Sequence, residues 1–262
     1  MVSLAWSFCL MDADGVSIDE DAADLVHPTA SVGKVFLLSE VAERIIDGRL
    51  DPQQIVLRDP LLAVSDSGLW QHLAQDSLPL VDACVLVAAV SDNWATNVLL
   101  DLVGLEPVTQ RARSMGCADS SLHDRVRDAR TDDDPPTLST GTARELADVA
   151  RRIHLAAAGD PQAGISVAAA ALVERWLLTG VDLTMVAAPF RLDPLAHGGG
   201  GLRLWSKTGT DTCIRADMGV AWNTTEAISY AAIATWKPGD DVGDVPFERM
   251  HALGSRLAAR MW

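Results

Sequence analysis

Strand-like segments occupy only the two ends of this 262-residue chain, and everything between them reads as helix and loop. The first segment, over 2–11, meets a second over 16–20 through Asp14-Gly15, a dipeptide suited to the tight turns that join hairpin strands. Three more, at 202–208, 215–222 and 227–236, follow the glycine run 198–201 and are parted by turns at Asn223-Thr224-Thr225-Glu226 and Lys237-Pro238-Gly239. The first hairpin is expected to join the three late strands in one antiparallel sheet. The expectation is therefore an α+β fold in two lobes. One antiparallel five-stranded sheet is flanked by a terminal helix over 246–260, and an all-helical lobe lies beside it. Helices are predicted at 31–47, 81–90, 94–103, 106–115, 140–157 and 165–179, with 117–139 a polar loop containing Asp132-Asp133-Asp134-Pro135-Pro136. The chain reads as a single domain over 1–262, with a sheet lobe from 1–28 and 200–262 and a helical lobe over 29–199. A crevice between lobes is where a ligand tends to bind.

Charge narrows the partners. A formal charge of −15 and a pI near 4.6 argue against nucleic acid and anionic membrane surfaces, both of which call for a basic face. No apolar run reaches 18 residues, so no spanning helix is expected. The opening MVSLAWSFCL carries no Lys or Arg and runs into an Asp-rich turn instead of a small-residue cleavage site. The expected location is cytoplasmic, or secreted if the true start lies upstream. Four cysteines without a C-x-x-C pair fit free thiols in a reducing compartment. Six scattered histidines show no H-x-x-x-H or H-x-H, so neither a metal nor another cofactor is expected. The expected partner is a small molecule, bound by a monomer.

Residues 29–36, TASVGKVF, admit two chemistries. A phosphate loop needs G-x-x-x-x-G-K-[ST], but Pro28 stands where the first glycine belongs and Val35 where the hydroxyl belongs. The other chemistry needs only Ser31 as nucleophile and Lys34 as base on the same helical face. Lysine is scarce: Lys34, Lys207 and Lys237 stand against 18 arginines. A retained lysine suggests that the small ammonium itself is needed, because arginine cannot give up its proton to act as a base. Lys34 must be neutral to do so, which desolvation or a nearby cation arranges. Lys207 is a candidate for that cation if its strand lines the same crevice.

Three motifs stand in order: Ser31-Val32-Gly33-Lys34, Ser91-Asp92-Asn93 and Lys207-Thr208-Gly209. This S-x-x-K, S-D-N, K-T-G set resembles the signature of class A β-lactamases and the wider penicillin-recognising serine hydrolases. The resemblance spans nearly the whole chain and implies the two-lobed fold sketched above. It implies Ser31 as acylated nucleophile, Lys34 as its base, and Ser91 as a shuttle carrying a proton from Lys34 or Lys207 to the leaving group. It further implies that Asn93 holds a substrate side-chain carbonyl and that Asp92 braces the turn. Lys207 and Thr208 are implied to bind a substrate carboxylate, with Arg215 a second contact, and Gly209 lets the strand edge approach the ligand. The N–H groups of Ser31 and Thr210 are implied as the oxyanion hole.

One position departs from the family. Class A enzymes activate the deacylating water with a loop glutamate, yet this chain has none between Glu106 and Glu145. Aligning Leu122 or Asp124-Arg125 puts Val126 or Arg127 at its place, leaving Asp124, Asp128 or His123 as substitutes. The expected function is acyl-enzyme hydrolysis of a β-lactam or another small carboxylate-bearing amide or ester. Alternatives are an esterase or D-amino-acid peptidase of the same fold, or a non-catalytic penicillin-binding or sensor protein. His197-Gly198-Gly199-Gly200 resembles a lipase oxyanion loop, but without G-x-S-x-G it reads as a flexible connector. Trp70 reads as packing rather than as a wall of the crevice.

Overall fold

In the computed structural model, residues 4–196 and 201–261 are described; the connector His197–Gly200 and the first residues of the opening strand lie outside them. In chain order the strands and helices are Ala5–Met11 (β1), Ser17–Asp21 (β2), His27–Pro28 (β3) and Lys34–Ile46 (α1), then Ile55–Leu57 (β4) and Ser77–Pro79 (β5). Leu80–Val90 (α2), Asn93–Val103 (α3), Leu105–Ser114 (α4), Ser121–Leu122 (β6) and Ser139–Gly141 (β7) follow. Ala143–Ala157 (α5) and Val167–Leu177 (α6) complete the helical run before Arg203–Asp211 (β8), Ile214–Trp222 (β9), Ala227–Thr235 (β10) and Val245–Met261 (α7).

The terminal strands join as expected, in the order β2-β1-β10-β9-β8, all antiparallel. Phe8 faces Ala232, Tyr230 faces Gly219, and Lys207 faces Met218. Both faces of this sheet are covered, and alternation along the strands sorts residues between them. Cys9, Met11, Met218, Val220 and Ile233 face the helical lobe, with α5 against β1, β9 and β10. Phe8, Leu10, Tyr230 and Ala232 face Met250, Leu253 and Leu257 of α7. Met185–Ala187 and Phe190 also pack on that outer face, so the segment before the glycine run shares a core with the sheet and α7 rather than with the helical lobe. Among the described residues no helix is long and apolar enough to cross a membrane. The four cysteines are free thiols, three of them buried.

Two differences from the predicted elements bear on the site. The helix expected from 140 starts at Ala143, because residues 139–141 pair with β3 and β6 instead. Thr142 Oγ1 accepts the Glu145 N–H at 3.1 Å, a side-chain cap that ends the helix there. The loop 117–139 also carries β6, too short to show a period in sequence.

Asp217 on β9 is a buried carboxyl on the outer face of the sheet, 1% exposed. It accepts Val186 N–H at 3.0 Å, and Tyr230 Oη lies 3.3 Å from its other oxygen. Burial pushes its pKa well above the carboxylate value, against the help of the Val186 N–H. A group whose native pKa is raised stabilises the fold fully below its unfolded pKa and loses that contribution as pH rises through the native value. Asp217→Asn keeps both partners and does not titrate. The expected result is a Tm advantage over wild type that grows between pH 5 and pH 8, by about 2–4 °C for each kcal/mol of relief in a chain of this size. An equal difference at both pH values in a thermal melt sinks this reading.

Candidate active site

The turn that carries Ser31 is held from two sides. Ala30–Gly33 form a 3-10 turn running straight into α1, with Ala30 at φ +48°. In 3-10 geometry side chains three apart eclipse, which brings residue 34 beneath residue 31. From β7, the Ser139 carbonyl accepts Thr29 N–H at 3.0 Å, and Ser139 Oγ donates to the Ala30 carbonyl at 2.6 Å. A Cβ on Gly33 would lie 2.5 Å from Ser139 Cβ. A Cβ on Gly209 would lie 2.2 Å from the Thr29 carbonyl oxygen and 3.1 Å from Ser31 N. The reading of Gly209 as making room for a ligand is therefore corrected: the group that comes close is the backbone of the nucleophile turn. The bare glycine seats the edge strand β8 against Ser31.

Lys34, the first residue of α1, is wholly buried. Its Nζ donates to the Ser91 carbonyl at 2.7 Å and to Asn93 Oδ1 at 2.7 Å, and lies 3.2 Å from Ser91 Oγ. Ser91 ends α2 in the left-handed region at φ +56°, a conformation strained for a residue with a Cβ. Asp92 braces that bend: its carboxylate accepts the N–H groups of Leu69, Trp70 and Ala95 at 2.7, 2.7 and 2.9 Å. Trp70 packs in the core, as read. From β8, Lys207 Nζ donates to Ser91 Oγ at 3.1 Å and to the Thr208 carbonyl at 2.9 Å. Ser91 Oγ thus bridges the two amines.

Electrostatics set the amines apart. Burial, and after it the charge on Lys207, lowers the pKa of Lys34 well below the ordinary lysine value, with Asp92 and Asp66 opposing. Burial lowers Lys207 to about 8, opposed by Asp182 and Asp217. Of the two, Lys34 carries both burial and a neighbouring cation against its charge, so the arrangement favours proton loss at 34 while 207 stays a cation.

Ser31, Ser91, Asn93, Lys207, Thr208 and Thr210 line one cavity of about 650 Å³, and Lys34 lies under its floor. Arg215 does not join them. Its register partner is Thr210 across β8–β9, but its guanidinium donates to the carbonyls of Asp211 and Ile214 and lies over the rings of Trp236 and Phe247. The carboxylate contact expected of Arg215 is corrected accordingly, since α7 and Trp236 take its side chain.

Val126, Arg127, Asp128 and Arg130 of the loop 117–139 line the same cavity. Of the three substitutes for the missing glutamate, Asp124 is ion-paired with Arg127 at 2.7 Å and Arg130 at 2.5 Å, and His123 Nε2 is bonded to Thr140 Oγ1 at 2.7 Å. Neither lines the cavity; Asp128 does. Asn97 went unread in the sequence although it stands one helical turn after Asn93. Its Oδ1 accepts Val126 N–H at 2.8 Å and its Nδ2 donates to the Val126 carbonyl at 3.0 Å, pinning the loop to α3.

The model of the beta-lactamase enzyme family matches residues 5–257. Among solved structures, a beta-lactamase from Sphaerobacter thermophilus DSM 20745 is similar over 98% of this chain and 90% of that one, at 22% identity and a TM-score of 0.81. A beta lactamase from Xanthomonas campestris pv. campestris str. ATCC 33913 is similar over 98% and 91%, at 19% identity and a TM-score of 0.79. A point mutant of PBP-A, in an acyl-enzyme complex with penicillin G, is similar over 98% and 90%, at 20% identity and a TM-score of 0.79. At such identities the likeness is one of fold. No curated protein matches the chain.

Proposed function

The chain belongs to the beta-lactamase enzyme family, as a hydrolase of the serine β-lactamase type, and from that premise we propose that it forms an acyl-enzyme on Ser31. The substrate is a β-lactam or a related small amide or ester bearing a carboxylate, and the acyl group leaves slowly. The observation that carries this reading is the bridge at Ser91 Oγ between Lys34 and Lys207, next to Ser31 in the wall of one cavity.

Each step then has a group to perform it. Neutral Lys34 takes the proton of Ser31 Oγ as the oxygen bonds to the carbonyl carbon. The N–H groups of Ser31 and Thr210 meet the oxyanion at the edge of β8, where each such donor is worth about 3–4 kcal/mol. Lys34 returns its proton through Ser91 Oγ to the departing nitrogen or oxygen, and the bond from that atom to the carbonyl carbon breaks. Lys207 and Thr208 hold the substrate carboxylate throughout. The ester left on Ser31 requires water for release, and Val126, an aliphatic side chain, stands where a base would activate it.

The test is intact-mass spectrometry after incubation with a chromogenic cephalosporin and with a nitrophenyl ester. A cephalosporin adduct that maps to Ser31, is absent in Ser31→Ala and persists through slow turnover is the expected result. Full activity in Ser31→Ala overturns the assignment of the nucleophile. Turnover of the ester with no cephalosporin adduct favours an esterase of the same fold.

A further inference from the structure

A continuous series of hydrogen bonds runs from the loop 117–139 to the buried lysine. Asp128 Oδ1 accepts Ser65 N–H at 2.8 Å and Ser65 Oγ–H at 2.6 Å. The Ser65 carbonyl accepts Asn93 Nδ2 at 3.1 Å, and Asn93 Oδ1 accepts Lys34 Nζ at 2.7 Å. Ser65 and Asp128 both line the cavity but are 63 positions apart in the chain, so their bond ties two separate loops across it.

We propose that Asp128 is a positioning residue for acylation: it acts as a hydrogen-bond acceptor that fixes Ser65, and through Ser65 and Asn93 it orients Lys34. The inference rests on the acyl-enzyme reading above. Its physical basis is the near symmetry of a carboxamide. The two ends of Asn93 differ little in shape, and only their partners decide which end faces the lysine. With the Ser65 carbonyl in place, Nδ2 is drawn to it and Oδ1 is left for Lys34. A displaced Ser65 removes that distinction, and a turned amide presents N–H groups to an amine that needs an acceptor. Hydrogen bonds from Ser65 also hold the Asp128 carboxyl below its ordinary pKa, as an acceptor-only group across the neutral range.

This role needs an acceptor oxygen, not a charge, and that separates it from the role of a deacylating base. Asp128→Asn retains Oδ1 for both Ser65 donors; Asp128→Ala does not. With adduct formation at Ser31 of the wild-type chain established first, single-turnover acylation and the later loss of adduct are timed separately in both variants. The expected result is acylation slowed by about 10–100-fold in Asp128→Ala, the range a small misplacement of a catalytic group produces, with Asp128→Asn restored to within about threefold. Acylation unchanged in Asp128→Ala overturns the proposal. So does a result in which both variants acylate normally and deacylate equally slowly, which makes Asp128 a base. Acylation lost equally in both variants overturns it too, since charge is then what matters. Absence of any adduct in the wild type is a failure of the acyl-enzyme reading and is recognised before the variants are made.

Discussion

Lys34→Met is expected to slow acylation of Ser31 by about 10²–10⁴-fold, the span that a positioned general base contributes. The side chain is wholly buried and reaches no cavity surface of its own, so the loss falls on proton transfer rather than on substrate contact. Lys34→Arg is the sharper variant. It keeps the hydrogen-bonding capacity, but a guanidinium does not deprotonate in a protein, so an equal loss is expected. The pH profile carries the same logic with defined signs. Acylation rises with pH as Lys34 loses its proton, at a pH far below the ordinary lysine value because of burial and of Lys207. It falls again as Lys207, lowered to about 8, loses the charge that holds the substrate carboxylate. In Lys207→Met the nearby cation is gone, so the rising limb moves to higher pH while affinity for carboxylate substrates drops. Stopped-flow acylation across pH 5–10 checks all of this, and an arginine variant that acylates at the wild-type rate removes Lys34 from the role of base.

Much of that arrangement was legible in the sequence because its parts are short and local. Ser31 and Lys34 are three apart, Ser91-Asp92-Asn93 is a bend between helices, and Lys207-Thr208-Gly209 is a strand edge. What the sequence left hidden depends on partners far away in the chain. Gly209 has Thr29 against it, from the opposite end of the chain, and no local pattern distinguishes room for a ligand from room for a carbonyl. Arg215 lies eight residues past Lys207, but which face of the sheet it takes is set by the hairpin register that pairs it with Thr210, and by Trp236 and Phe247 waiting on that face. The strand Ser139–Gly141 is too short to show a period, yet its serine clamps the nucleophile turn. The fold was readable because its periodic segments are long; the loops that shape the cavity are not periodic.

Val126→Glu is expected to raise the rate at which the acyl group leaves Ser31 by about 10²-fold or more, again the scale of general-base catalysis. The sequence left Val126 and Arg127 as rivals for the position of the missing glutamate. Arg127 is committed to ion pairs with Asp124 at 2.7 Å and Asp134 at 3.0 Å. Val126 has its backbone fastened on both sides by the Asn97 amide, and its side chain is half-buried and lines the cavity that holds Ser31. A carboxylate introduced there sits on backbone already fastened to Asn97, and Asp124 remains to neutralise Arg127 and Arg130. Each 1.36 kcal/mol removed from the deacylation barrier gives about a tenfold gain in rate, so the change from a persistent adduct to repeated turnover needs only about 3 kcal/mol. Val126→Gln separates the two ways a longer polar residue can act: it fills the same space and binds water, yet takes no proton. The measurement is decay of the cephalosporin adduct by intact mass, side by side for wild type and both variants. A glutamate variant that decays no faster than the glutamine variant shows that position 126 does not face the acyl carbonyl through a water, and that slow release has another cause.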